Sequence, residues 1–216
     1  MRRPGTTRGG ASRGNGRPGR RSGPSRGRSA RRTRETDVLV DLGIGEGRAD
    51  IATGVPFFDH MLEQLARHGG LKLRVRAKGD LQVDAHHTVE DVGIGLGEAL
   101  REAMGDKVGL SRYGLAVVPL DEALVEAAVD LSGRPHLTLN AGLPSGKRFI
   151  GTYDVDLTED FLKAFTNHAR ICLHLNVRYG RNLHHVVEAL FKATARALRA
   201  AAAREGGAIP STTGVL

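Results

Sequence analysis

Residues 84–91 read DAHHTVED, and residues 182–189 read NLHHVVEA. Each stretch carries two adjacent histidines, with a glutamate three residues after the second: His86, His87 and Glu90, then His184, His185 and Glu188. Four of the nine histidines in this 216-residue chain thus belong to one pattern written twice, 98 residues apart (184 minus 86). The sequence around the two copies repeats as well. Ahead of the first, DVLVDLGIG and RADIATG alternate apolar and polar residues about a Gly-rich turn, which predicts a hairpin. FFDHMLEQLARHGG sets apolar residues at 58, 61, 62, 65 and 66, the spacing of a helix, and closes on glycines. LKLRVRAKG and LQVDA read as two strands, and HHTVEDVGIGLGEALREAMG as a helix. The three glycines inside that helix lower its intrinsic propensity and suit close packing against a neighbour.

The second half follows the same order. ALVEAAVDLSGRPHLTLNAG predicts a hairpin, and DLTEDFLKAFTNHAR an amphipathic helix with Asp156 or Thr158 near its cap. ICLHLNVRYG predicts a strand, and NLHHVVEALFKATARALRAAAARE a long Ala-rich helix. Laying RHGGLKLRV over NHARICLHL puts His68 on His168 and, eight residues upstream, His60 on Asp160. The expected class is α+β: an internally duplicated ββαββα-like unit with helices packed on one face of mainly antiparallel sheets. The two halves are expected at 35–120 and 121–216, together making one domain.

The formal charge of +8 suggests a nucleic-acid partner until it is divided along the chain. Residues 1–34 hold twelve arginines and no acidic residue; the remainder has 20 basic against 24 acidic residues, a net −4. The Gly, Arg, Ser and Pro of 1–34 bury too little apolar surface to offset chain ordering, so a disordered tail is expected there. Such a tail can bind nucleic acid through charge; nothing in 35–216 asks for that partner. No apolar run approaches the roughly 18 residues needed to span a bilayer. Cys172 is the only cysteine, which excludes an internal disulfide and fits a reducing compartment; its apolar setting predicts a buried strand residue. A soluble, cytoplasmic protein is expected.

On a helix, residues three or four apart share a face, so both histidines of each pair lie near the same glutamate while their rings diverge. Divergent rings suit two ions better than one. Imidazole with carboxylate fits Mn, Fe, Zn or Ni, and the absence of thiolates argues against a cysteine-type structural zinc. A lone HHxxE would be an ordinary polar helix start. Two copies at equivalent points of a duplication point instead to a two-metal site.

From about Arg32 onward the chain resembles the imidazoleglycerol-phosphate dehydratases of histidine biosynthesis. The resemblance rests on RRTRETD, GVPFFDHMLEQLARHGG, DAHHTVEDVGIGLGEAL, SRYG, DLSGRP, ARICLHLNVRYGRNLHHVVEALFKATARALR and IPSTTGVL. It implies a duplicated fold of the ribosomal S5 domain 2 kind, two Mn(II) per active site, and loss of water from imidazole glycerol phosphate to give imidazole acetol phosphate. The implied route ionises the metal-held imidazole, expels the C3 hydroxyl to leave a diazafulvene, and removes the C2 proton.

The implied metal ligands are His60, His86, His87, Glu90, His184, His185 and Glu188. Asp160 stands where a histidine is common. Glu35, in RRTRETD, matches the carboxylate that handles the proton, with Glu90 and Glu188 also in the catalytic set. Arg112, Arg134, Lys192, Ser211 and Thr213 match the phosphate-binding positions; Thr213 replaces a usual lysine, which implies weaker substrate binding. His68, His136, His168 and His174 fall outside the set. The resemblance also implies a shell of twenty-four subunits built from trimers, with active sites at subunit boundaries. The competing readings are another dimetal hydrolase acting on a phosphorylated small molecule, and histidines that only hold an oligomer together while the tail binds RNA.

Overall fold

The computed structural model describes residues 25–143, 148–206 and 211. The first half runs β1 (Arg26–Arg32), β2 (Thr36–Ile44), β3 (Ala49–Ala52), α1 (Pro56–Gly69), β4 (Leu71–Gly79) and α2 (His86–Met104). The second runs β5 (Tyr113–Leu120), β6 (Ala123–Asp130), β7 (His136–Asn140), a short hairpin of β8 (Phe149–Ile150) and β9 (Tyr153–Asp154), then α3 (Leu157–Ala169), β10 (Cys172–Tyr179) and α4 (Leu183–Ala201). Each half builds one four-stranded sheet, in the orders β1-β2-β4-β3 and β5-β6-β10-β7. The duplicated α+β reading therefore holds, down to matching strand orders.

The sheets are antiparallel except at one edge each, where β3 runs parallel to β4 and β7 parallel to β10. A parallel pair needs a long crossover, and α1 and α3 supply it. This corrects the two expected hairpins: β2 and β3 are not partners, nor are β6 and β7. Ladder length decides the matter, because β4 offers β2 nine paired residues whereas β3 has only four to give. LQVDA is not a strand either. It forms the turn leading into α2, with Val83 N–H bonded to the Asp80 carbonyl and Val83 left 66% exposed.

Helix α2 lies on β1 and β2, and α4 on β5 and β6; across the halves, α1 meets α4 and α2 meets α3. The helices thus cover one face of each sheet and form the middle of a sheet–helix–sheet arrangement. Phe58 and Met61 of α1, Leu96 of α2, Phe161 and Phe165 of α3, and Phe191 of α4 are all buried there. The α2 glycines serve the close contact expected of them: a Cβ on Gly97 would sit 2.6 Å from the Phe165 carbonyl oxygen.

Both expected boundaries move. Arg26–Arg32, assigned above to the tail, is an edge strand bonded to β2 along its whole length; residues 1–24 lie outside the described residues. Strand β5, placed above in the first half, pairs with β6 and opens the second, so the halves divide between α2 and β5 and not at 120. Cys172 is in a strand as expected, but only half-buried.

Candidate metal centre

Both histidine pairs begin a helix, and the two starts are built alike. The His86 N–H donates to Asp84 Oδ1 at 2.8 Å, and the His184 N–H donates to Asn182 Oδ1 at 3.0 Å. These side chains satisfy donors that a helix leaves open in its first turn, and they fix both histidines of each pair there. The rings diverge as spacing requires: 6.1 Å between centroids at 88° for His86 and His87, and 6.2 Å at 83° for His184 and His185.

The inward ring of α4 meets α1. His184 Nε2 lies 3.0 Å from Glu188 Oε2, and His60 Nε2 lies 3.4 Å from the same oxygen. One ligand atom from each of His60, His184 and Glu188 falls within 4.8 Å of the others. Donors about 2.1 Å from a single cation stand about 3–3.5 Å apart, so this trio fits a first-row divalent ion. A cation beside a helix N-terminus is opposed by the helix dipole, and the carboxylate offsets that.

The repeat generates a second grouping from α2 and α3. His86 Nδ1 lies 3.4 Å from Asp160 Oδ2, and His86 Nε2 lies 4.0 Å from Glu90 Oε2. Asp160 therefore stands beside a metal-type histidine, as its repeat partner His60 does. The two nitrogens of His86 face different carboxylates, so this grouping is less gathered than the first.

The second ring of each pair uses Nδ1 on a carboxylate. His87 Nδ1 is 3.0 Å from Asp80 Oδ2, with Glu35 Oε2 at 3.8 Å; His185 Nδ1 is 2.7 Å from Glu122 Oε2. These hydrogen bonds raise both histidines above their ordinary pKa, and the His185 bond is the largest cause holding Glu122 down at about 2. Burial pushes Glu188 up, but Lys192 and His184 outweigh it and leave that carboxyl below its usual value. Glu35 sits on the β1–β2 turn, which is tied by the Thr33 hydroxyl and by Thr36 bonding to the buried Asp91. The expected tail boundary is thus a fixed hairpin turn beside His87.

The residues expected to hold phosphate are not gathered in one place within the chain. The Arg112 guanidinium makes a two-point pair with Asp130 at 2.8 and 3.2 Å, and the Arg112 backbone N–H donates to the Ala201 carbonyl at the far end of α4. From His184 to Ala201 is seventeen residues, about 25 Å of helix. Arg134 is exposed two residues after Ser132, in the turn beyond β6. Lys192 is instead at the metal residues, with Nζ 2.5 Å from Glu188 Oε1. Ser211 is half-buried, and Thr213 lies outside the described residues. His174 pairs with the His136 ring at 5.5 Å on the second sheet, and His168 Nδ1 lies 2.9 Å from the Ala164 carbonyl oxygen in its own helix; neither joins a ligand group. His68 is held below its usual pKa by burial first and then by the nearby Lys192 and Arg196.

Sequence reasoning passed over Asp80 and Glu122. The signal for Glu122 was present: it follows Glu35 by 87 residues, the offset between the first strands of the two halves.

Comparison with known proteins identifies the family of the chain. The family profile described as imidazoleglycerol-phosphate dehydratase matches residues 53–198. The imidazoleglycerol-phosphate dehydratase of Anaeromyxobacter sp. strain Fw109-5 is 80% identical over 191 residues, covering 88% of this chain and 93% of that one. The Symbiobacterium thermophilum protein of the same name is 56% identical, covering 88% and 92%. Among solved structures, the Staphylococcus aureus dehydratase superposes with a TM-score of 0.75 at 38% identity, covering 83% of this chain and 99% of that one. The Pyrococcus furiosus one gives 0.76 at 36% identity, covering 87% and 100%.

Proposed function

This chain belongs to the imidazoleglycerol-phosphate dehydratase family, and from that premise we propose how its residues perform the dehydration. The enzyme is a hydro-lyase of histidine biosynthesis that removes water from imidazole glycerol phosphate to give imidazole acetol phosphate. The observation that carries the site assignment is the convergence of His60, His184 and Glu188 ligand atoms within 4.8 Å.

His60, His184 and Glu188 form one ligand set, and His86, Glu90 and Asp160 its repeat-related counterpart; His87 and His185 each have Nδ1 on a carboxylate and offer Nε2. These sets suit two Mn(II) per active site, since imidazole and carboxylate match an intermediate-to-hard divalent ion. When bound, such cations favour ionisation of the substrate imidazole, which turns the ring into an electron source able to expel the C3 hydroxyl.

The chain's own residues do the rest. Glu35, exposed on a fixed turn, takes the C2 proton. Arg112 and Arg134 present planar guanidinium donors for the phosphate, with Lys192, Ser211 and Thr213 completing that set. Because Arg112 and His184 are at opposite ends of α4, a substrate as small as imidazole glycerol phosphate cannot reach both within one chain. Active sites shared between subunits follow. Tyr113, Leu115 and Val117, an exposed apolar stripe on edge strand β5, support such assembly, and a shell of twenty-four chains built from trimers is the form we assign. No helix of the described residues is long and apolar enough to cross a membrane, in keeping with a cytoplasmic enzyme.

Product analysis tests the reading. Mn(II)-loaded protein given imidazole glycerol phosphate should yield the ketone without inorganic phosphate; phosphate without ketone would establish a dimetal hydrolase instead. Glu35→Gln should keep its Mn(II) and lose about 10²- to 10⁴-fold in turnover, the range for a lost general base. Comparable turnover in that variant removes Glu35 from the mechanism.

A further inference from the structure

The turns after β1 and β5 carry equivalent glutamates, Glu35 and Glu122, that are held in different ways. The equivalence can be checked at the glycines closing the third strands. A Cβ on Gly79 would meet Thr88 and Thr36, and one on Gly180 would meet Val186 and Ala123, the residues related to them by the repeat. The residue after that glycine is Asp80 in the first half and Arg181 in the second. Where the aspartate is present, its Oδ2 takes His87 Nδ1 at 3.0 Å and Glu35 stands off at 3.8 Å. Where arginine replaces it, Glu122 takes His185 Nδ1 at 2.7 Å, and its other oxygen accepts the N–H groups of Arg181 and Asn182 at 3.1 and 2.6 Å. Both oxygens of Glu122 are committed. The Glu35 side chain is 54% exposed, against 26% for Glu122.

We infer that Asp80 and Glu122 are positioning residues that lock His87 and His185 through Nδ1 and leave Nε2 without a hydrogen bond, Asp121 Oδ2 standing 3.8 Å from His185 Nε2, and that Asp80 thereby releases Glu35 for proton transfer. This rests on the two-metal reading above. A ring donating Nδ1–H to a carboxylate is fixed in the tautomer whose Nε2 lone pair faces a cation, and the adjacent negative charge strengthens that donor. One duplicated glutamate became a clamp. The other was freed because a second carboxylate, six residues ahead of the helix, took over the clamping. The asymmetry accounts for proton transfer at Glu35 and not at its repeat partner.

The test reads Mn(II) binding by calorimetry on the assembled protein, apart from turnover. Asp80→Ala should weaken one class of sites about 10- to 100-fold, the usual effect of losing an outer-shell partner, and leave the other class at wild-type affinity. Asp80→Asn, whose amide oxygen still accepts from Nδ1–H, should lose less, and Glu122→Ala should weaken the other class. Glu35→Gln should leave Mn(II) affinity unchanged in the wild-type background but lower it further in Asp80→Ala, where Glu35 is the carboxylate left beside His87. Such non-additivity is the mark of direct coupling, and a merely structural role for Asp80 would not produce it. Unchanged affinity in folded Asp80→Ala and Asp80→Asn overturns the clamp. A Glu35→Gln effect already present in wild type overturns the release. Wild-type protein that takes up no Mn(II) overturns the two-metal reading itself, an outcome distinct from both.

Discussion

Glu122 shows how a single carboxylate links stability to pH. The His185 bond, then the Asn182 N–H, hold its carboxyl near 2 from a usual 4.5. A depressed carboxyl favours the folded state once ionised, so its contribution is present above about 4.5 and is lost as pH falls toward about 2. His185 is shifted the other way by the same bond; its contribution is present below its usual 6.5 and is lost as pH rises through the raised value. Chelated protein should therefore melt at falling temperature between pH 4.5 and 2, and Glu122→Gln should flatten that fall; equal slopes in melts of the two proteins would refute the assignment. The two histidine pairs and their glutamates were legible in the sequence because they recur at helical spacing, whereas His60 and Asp160 came only from the resemblance and the repeat overlay. The carboxylates behind them were not, since Glu35 and Glu122 are 87 residues apart while the histidine pairs are 98 apart. The β8–β9 hairpin lengthens the second half ahead of α3, and the turn before α4 is shorter than the one before α2. No single overlay aligns both strands and helices.

Among the elements, β1, β5 and the β8–β9 hairpin went unread in the sequence, and for β1 the reason is steric. Its inward residues include Gly27 and Ser29, small because the α2 backbone lies against them: a Cβ on Gly27 would fall 1.9 Å from the Ala99 carbonyl oxygen. The repeat does the same at Gly114, 1.9 Å from the Ala197 carbonyl oxygen. A strand packed this tightly has no apolar alternation to display, and with Arg26, Arg28 and Arg32 exposed RGRSARR reads as tail. The long helices, by contrast, were legible because they bury whole apolar stripes. Gly27→Ala should destabilise by about 1–3 kcal/mol or more through overpacking, whereas Gly142→Ala, with nothing within 4 Å of its Cβ, should be close to neutral. Urea denaturation of both variants checks this, and a neutral Gly27→Ala would mean that β1 is not docked on α2.

For the whole molecule, the proposed assignment of metal and phosphate residues makes a site that one chain does not complete. The histidine pairs begin α2 and α4, the arginine expected on the phosphate is beyond the C-terminal end of α4, and the His87 and His185 rings diverge from their neighbours in the two ligand groups. A cation that gathers ligands from several chains binds the assembly better than the separated chain, and mass action then couples metal to association. Exposed Leu115 and Val117 on an edge strand provide apolar contact that does not depend on metal, so its removal should stop short of monomers. Treatment with a strong chelator should convert the proposed twenty-four-chain shell to trimers, and added Mn(II) should restore it, both followed by light scattering. His185→Ala should shift the same balance toward trimers even with Mn(II) present. An assembly of unchanged mass after metal content has fallen to zero would show that the subunits are held by apolar and polar contacts alone, and would place the metal inside each chain.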